Sequence, residues 1–109
     1  MIDDQRTVAD LMAKLEAHLP VPARLTPTTV RSLRERGMKL SAERVIFIRR
    51  IFYGSDEGGI MCDVTPTRAS KEAVVVSLTH LRIAPDHPLF RDIRAYQRER
   101  VRRLAELDE

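Results

Sequence analysis

The fold is decided by residues 44–64, RVIFIRRIFYGSDEGGIMCDV, in the middle of the chain. Two runs rich in β-branched and aromatic residues flank an acidic, glycine-rich turn, which is the sequence pattern of a β-hairpin. A turn centred on Asp56 and Glu57 sets one register across the two strands. The pairs in that register are Tyr53 with Ile60, Phe52 with Met61, Ile51 with Cys62, Arg50 with Asp63 and Arg49 with Val64.

Charge supports this register only in part. Arg50 and Asp63 attract each other across the strands, whereas Arg49 falls on the more apolar face. A slip by one residue would exchange the two faces. A helix over residues 41–53, capped by Ser41, is the competing interpretation, and the density of β-branched and aromatic residues favours the hairpin.

The remaining elements follow from helical and strand periodicity. Thr7 as N-cap predicts a helix from residue 8 to about 18, and Thr26, Pro27 and Gly37 predict a capped helix over 27–36. Residues 72–83, with three consecutive valines, predict a third strand. Asp86 as N-cap predicts a helix over 87–107.

The predicted order is therefore α-α-β-β-β-α, in an α+β fold. We expect a three-stranded antiparallel meander with the long C-terminal helix packed on one face. A chain of 109 residues predicts a single domain over 1–109. Within it, 8–36 form a helical pair, 44–83 the antiparallel sheet and 87–107 the C-terminal helix.

The composition of the chain indicates in which cellular compartment the protein works and which class of partner it favours. A single cysteine, Cys62, allows no internal disulfide, and the acidic N-terminus is not typical of a secretory signal. We therefore expect a cytoplasmic protein without membrane association. Cys62 is expected to face the core. The net charge is +3 and most basic residues are Arg, which favours anionic partners only weakly, since acids are interspersed.

The predicted meander gathers titratable groups at the end that carries the acidic turn. His80 is the candidate catalytic base, with Asp56 or Glu57 as the carboxylate that orients it. The candidate ligand-binding residues around them are Tyr53, Gly58, Gly59 and His87.

No known catalytic or metal-binding motif accompanies these residues. The spacing of His80 and His87 matches no zinc motif, so we expect no metal and no cofactor. Nucleophile elbows and phosphate loops are absent from the sequence, which favours a protein that is not an enzyme. Acidic residues beside glycines are also what a hairpin turn requires.

The Arg-rich C-terminal helix offers a nucleic-acid interface. Its candidate contacts are Arg91, Arg94, Arg98 and Arg102. No aromatic stacking platform accompanies them in the sequence. The alternative interpretation is a solvated helix face on which arginines pair with neighbouring acids such as Glu99 and Glu106.

The leading hypothesis is a small non-enzymatic domain that acts through protein–protein contact or small-ligand binding. The alternative is a nucleic-acid-binding accessory protein that uses the Arg-rich helix, and the second alternative is a small enzyme or metal-binding protein centred on His80. A homodimer is a further possibility, either through the C-terminal helix or through a sheet face. That face would carry Ile46, Ile48, Phe52 and Met61.

Overall fold

The computed structural model of the chain describes residues 3–66 and 73–107. Four helices and six strands follow one another in this part of the chain. The helices are α1 Gln5–His18, α2 Pro27–Glu35, the short α3 Ser55–Gly58 and α4 Phe90–Leu107; the strands are β1 Val21–Leu25, β2 Ile46–Ile48, β3 Arg50–Tyr53, β4 Ile60–Asp63, β5 Val75–Ser77 and β6 Leu81–Arg82.

The strands form two antiparallel sheets, ordered β2-β1-β6 and β3-β4-β5. Between β2 and β3 the chain passes from one sheet to the other at Arg49. One cluster of buried apolar side chains joins the helices to both sheets. The predicted α+β class is confirmed, as are the antiparallel meander β3-β4-β5 and the C-terminal helix.

The central hairpin has the predicted register. Strands β3 and β4 pair Tyr53 with Ile60, and the next three pairs follow as expected, ending at Arg50 opposite Asp63. The turn itself is the helical turn α3, closed by the Gly54 N–H, which donates to the Gly59 carbonyl at 2.7 Å. This register turns Ile60 and Cys62 into the core, where both are fully buried.

The ends of the first two helices agree only partly with the sequence patterns. For α2, the Thr26 hydroxyl caps the start, and the Met38 N–H donates to the Leu33 carbonyl at 3.0 Å beyond Gly37, whose φ is +86°. For α1, the prediction of Thr7 as N-cap is wrong. Asp4 is the cap, because its carboxylate accepts from both the backbone N–H and the hydroxyl of Thr7.

A strand separates the two N-terminal helices where the sequence indicated a connection. In β1, Val21, Ala23 and Leu25 are buried while Pro22 points outward. Proline is tolerated at that point because β6 pairs only with Arg24 and Leu25, so Pro22 has a neighbouring strand on one side only. The prolines at 20 and 22 therefore end the helix without excluding a strand.

The third predicted strand, over 72–83, is divided in the structure. After β5 the Ser77 hydroxyl accepts from the Thr79 N–H and starts a 3₁₀ turn over Leu78–His80. β6 then joins the other sheet beside β1. Residue 72 itself lies outside the described residues.

Two further expectations are corrected by this two-sheet arrangement. Ile46 and Ile48 are buried in β2 and do not share an exposed face with Phe52, because β2 pairs with β1 and not within the hairpin. The last helix begins at Phe90 rather than near Asp86. The side-chain hydrogen bond before this helix comes from His87 rather than Asp86, because the Nδ1 of His87 accepts from the Leu89 N–H at 3.0 Å.

Within the described ranges, no helix is long and apolar enough to cross a membrane.

Candidate functional site

A buried ion pair joins the start of the chain to α4. Arg100 Nη1 lies 2.9 Å from Asp3 Oδ2, and the two side chains are 2% and 4% exposed. The second guanidinium arm, Nη2, donates to the Asp56 carbonyl at 2.5 Å. Removing charges from water is costly, so an ion pair this deeply buried requires further hydrogen bonds to both partners.

Two tyrosines complete this network. The Tyr53 hydroxyl donates to Asp3 Oδ2 at 2.9 Å, and the Tyr96 hydroxyl donates to the same oxygen at 3.2 Å while it accepts from the Ile60 N–H at 2.9 Å. Burial, followed by the hydrogen bond to Asp3, raises the pKa of Tyr53 to about 12. Burial is also the largest cause that raises the pKa of Tyr96 to about 12. Both phenols therefore stay protonated donors at neutral pH.

Gly59 allows the backbone to approach this network closely. Its φ is +65°, and a Cβ at this position would overlap the Tyr96 hydroxyl and lie 3.0 Å from the Arg100 guanidinium. A side chain is therefore excluded both by the backbone conformation and by the available space.

The Asp3 carboxylate is used on one side only. All three donors, from Tyr53, Tyr96 and Arg100, converge on Oδ2, and no described residue donates to Oδ1. Every fully buried side-chain N or O atom in the described ranges has a partner. Oδ1 must therefore be reachable by solvent, and Asp3 lines a cleft between α1 and α4.

That cleft has a volume of about 540 Å³, which is in the range of small-molecule sites. Val8, Leu11 and Ala95 give it apolar walls. At its rim, Lys14 Nζ and Asp92 Oδ2 form an exposed ion pair of 2.9 Å. The cleft thus combines an apolar wall with a fixed ionic floor.

Acidic groups outnumber basic groups around the cleft. Three cations, Lys14, Arg100 and Arg103, face five carboxylates. Those carboxylates are Asp3, Asp4, Asp10, Asp92 and Glu99. A chain with a net charge of +3 therefore carries a locally acidic cleft, which favours cationic ligands.

The acids differ in how firmly they are held. The hydrogen bond from the Thr7 side chain, then that from its backbone, lowers the pKa of Asp4. Arg102 and then Arg103 lower the pKa of Glu99 to about 2. Asp10 is exposed and forms no ion pair within the described residues. Unlike Asp92 and Glu99, it is therefore an exposed carboxylate of the cleft that is not held by a cation of the described ranges.

Part of the predicted site belongs to this buried network. Tyr53 contacts Asp3, the Asp56 carbonyl accepts from Arg100, and Gly59 lies against Tyr96 and Arg100. Gly58 contributes its carbonyl to the Ser77 hydroxyl at 2.8 Å. The contributions of Asp56 and Gly58 described here come from their backbone carbonyls, and the Glu57 side chain is exposed.

The two predicted histidines lie in different surroundings. His80 is exposed, and its carbonyl accepts from the Thr26 N–H at the start of α2. His87 lies edge-on to His18 of α1, with 6.0 Å between the ring centroids. Among the residues described, no cluster of three or more His, Cys, Asp or Glu side chains could hold a metal. The catalytic role of His80 with Asp56 or Glu57 stays a prediction.

The four predicted nucleic-acid contacts on α4 are all exposed. Arg102 is bound between Glu99 and Glu106, at 2.5 Å from each. Arg91, Arg94 and Arg98 form no ion pair with the part of the chain that the structure describes. Pairing of arginines with neighbouring acids on a solvated face therefore describes the C-terminal end of α4. The guanidinium groups of Arg91, Arg94 and Arg98 remain accessible to an anion.

Sequence reasoning missed the two charges at the floor of the cleft. Arg100 follows Ile93 by seven residues and Tyr96 by four, which is the spacing of the buried face of α4. That periodicity is a usable signal for Arg100. Asp3 gave no such signal, because its partners are 50 to 97 residues away in sequence.

Comparison with known proteins does not assign this site. Neither protein-family models nor curated proteins nor solved structures gave a match to the chain. The function must therefore be argued from the cleft itself.

Proposed function

We propose that the protein is a small non-enzymatic binding domain whose α1–α4 cleft takes a small organic cation. The observation that supports this most is the one-sided use of Asp3. Three donors fix Oδ2, while no residue in the described ranges donates to Oδ1, and Asp3 lines an acidic cleft of about 540 Å³. A ligand ammonium is the donor that such an oxygen lacks.

The shape and charge of the cleft indicate what kind of cation fits. The floor offers Asp3, and the wall offers Asp10 one helix turn from Lys14. Between them the apolar side chains Val8 and Leu11 can cover a methylene chain. The ligand class is therefore an alkyl amine or diamine, in preference to a flat aromatic or an anion.

A calorimetric titration with cadaverine tests this proposal, with glutarate as the matched dianion of similar length. We expect heat of binding with cadaverine and none with glutarate. Asp10→Asn should weaken cadaverine binding by up to about fivefold, as expected for one partly exposed charge pair. Glu43→Gln removes an equal charge from an exposed side chain outside the cleft and should change nothing.

Two outcomes would overturn the proposal. The first is equal binding, or equal absence of binding, for the diamine and the dianion. The second is an equal effect of Asp10→Asn and Glu43→Gln, since binding would then follow net charge rather than the cleft.

Self-association is a second candidate, favoured by the end of α4. The buried stripe of Ile93, Gln97 and Arg100 continues at heptad-like spacing into Leu104 and Leu107, which are 36% and 67% exposed. An antiparallel pair centred on Leu104 would also place Arg102 of one copy opposite Glu106 of the other. Light scattering over a range of concentrations tests this, and a Leu107→Lys variant should remove any dimer. A mass that stays monomeric at the highest concentration contradicts it.

A further inference from the structure

The outer face of the sheet β2-β1-β6 carries an aromatic ring beside two guanidinium groups. Phe47 is 43% exposed and pairs with Pro22 across the sheet. Arg24, two residues along β1 and therefore on the same face, pairs directly with Arg82 of β6. An exposed aromatic residue and two cations thus share one surface.

The paired arginines repel each other, because like charges lie directly opposite across the strands. Backbone carbonyls hold them in place. Arg24 Nε donates to the Glu43 carbonyl at 3.2 Å, and Arg82 Nη2 donates to the carbonyls of Ala42 at 2.6 Å and Leu25 at 3.3 Å. These neutral acceptors fix the two side chains without cancelling their charge.

No carboxylate neutralises this pair within the described ranges. Neither Arg24 nor Arg82 forms an ion pair there. Arg24 contacts the acidic residue Glu43 through the Glu43 backbone carbonyl, and the Glu43 side chain is exposed. The remaining N–H groups of both guanidiniums are available to an external anion, and a phosphate is one of the anions that suit their planar geometry.

We propose that this face binds single-stranded nucleic acid, with a base stacked on Phe47 and the adjacent phosphate on Arg24 and Arg82. Aromatic rings that stack bases, combined with cations that follow the backbone, are the two elements of single-strand recognition. Pro22 and Phe47 lie directly opposite, and Arg24 lies roughly 7 Å further along the strand. A base and its neighbouring phosphate can span that distance. This interface is independent of the α1–α4 cleft.

Fluorescence anisotropy with labelled oligo-dT of about ten nucleotides tests the proposal, a length within the usual site sizes. The intact chain should bind the single strand more tightly than a duplex of the same length. Phe47→Ala should weaken binding by about tenfold, since each stacked base contributes strongly to affinity. Phe52→Ala is the matched control, because Phe52 is similarly exposed (49% against 43% for Phe47) but lies on the other sheet.

The arginines are tested through the salt dependence. In the double variant Arg24→Gln and Arg82→Gln, the slope of log affinity against log salt should become shallower by roughly 0.7, because the one phosphate that the two arginines share is no longer neutralised. Far-UV circular dichroism checks that this double variant remains folded. If the double variant is unfolded, Phe47→Ala still tests the proposal, because Phe47 is an exposed surface residue. Arg91→Gln with Arg94→Gln on α4 should leave the slope unchanged.

Four results with the oligonucleotides would overturn the proposal. They are no binding of oligo-dT at low salt, equal binding of single strand and duplex, equal effects of the Phe47 and Phe52 substitutions, and a loss of slope in the α4 variant rather than in the sheet variant. Competition by free UMP at the same concentration as oligo-dT would also overturn it, because the site would then belong to a mononucleotide.

Discussion

Replacing Arg100 with Met should show how much the buried network contributes to stability. The substitution keeps a similar volume but leaves Asp3, whose side chain is 4% exposed, as a buried carboxylate without its cation. It also removes the hydrogen bond to the Asp56 carbonyl. Breaking a buried pair from one side costs about 3–5 kcal/mol, against a total stability of roughly 5–15 kcal/mol for a domain of this size.

Urea unfolding followed by circular dichroism measures this loss. With a slope of about 1.5 kcal/mol per molar, a loss of about 4 kcal/mol lowers the midpoint by roughly 2.7 M. The matched control is Arg98→Met, an exposed position on the same helix, which should change stability by less than about 0.5 kcal/mol.

A double variant separates the ion pair from simple packing. Asp3→Asn should lower the cost of Arg100→Met, since no unpaired charge then remains in the interior. The reasoning is refuted if Arg100→Met costs less than about 1 kcal/mol, or if the costs of the two substitutions simply add.

Three further predictions follow from single residues. Cys62 is fully buried, and burial raises the pKa of its thiol to about 12. A disulfide reagent should therefore label the native protein only as fast as the protein unfolds. Immediate labelling would contradict this prediction. Gly37→Ala meets no atom within 4 Å but requires a φ of +86°, so it should lower the free energy of unfolding in urea by about 1–2 kcal/mol. Gly59→Ala also collides with Tyr96 and Arg100 and should cost clearly more. Equal costs would contradict the close approach of the Gly59 backbone to these two side chains. Acid should destabilise the protein through Asp4 and Asp63, because hydrogen bonds from Thr7 and Thr65 lower the pKa of these carboxyls in the folded state. Their contribution to the free energy of unfolding is present above the unfolded pKa near 4 and is lost as the pH falls through the folded values. Asp63→Asn should therefore make the melting temperature fall less steeply with decreasing pH.

Local patterns predicted the elements whose causes are local. The hairpin register followed from the glycine-rich turn and from the Arg50–Asp63 pair, and all four pairs in β3 and β4 agree. The α2 boundaries followed from Thr26 and Gly37. In each case, the residues that fix the geometry lie within a few positions of one another.

The division into two sheets could not be read in the same way. It depends on β1 lying between β2 and β6, three segments that are far apart in sequence. Pro22 argues against a strand in the sequence alone. It is compatible with β1 because, at that position, only β2 and not β6 pairs with the strand, and this is evident only from the assembled sheet. The valine-rich run is likewise divided at Ser77, whose hydroxyl is hydrogen-bonded to Gly58 from the neighbouring hairpin turn and to Thr79.

The candidate site was predicted only where it coincides with the turn. Tyr53 and Gly59 belong to the buried network, as a turn-centred site would suggest. Asp3 and Arg100 carry its charge, and they meet across almost the whole length of the chain. Such a contact leaves no spacing pattern in a single sequence.

The alkaline titration of the two tyrosines tests the network most directly. Tyr53 and Tyr96 are the only tyrosines, and the chain has no Trp, so the phenolate absorbance reports on these two groups alone. Their folded pKa, about 12, lies above the unfolded value near 10. The stability that they contribute is therefore complete below pH 10 and is lost as the pH rises through 12. In the native protein both phenols should ionise near pH 12, and in urea both should ionise near 10. A native midpoint near 10 would mean that neither hydroxyl is held against Asp3, and the account of the site would fail.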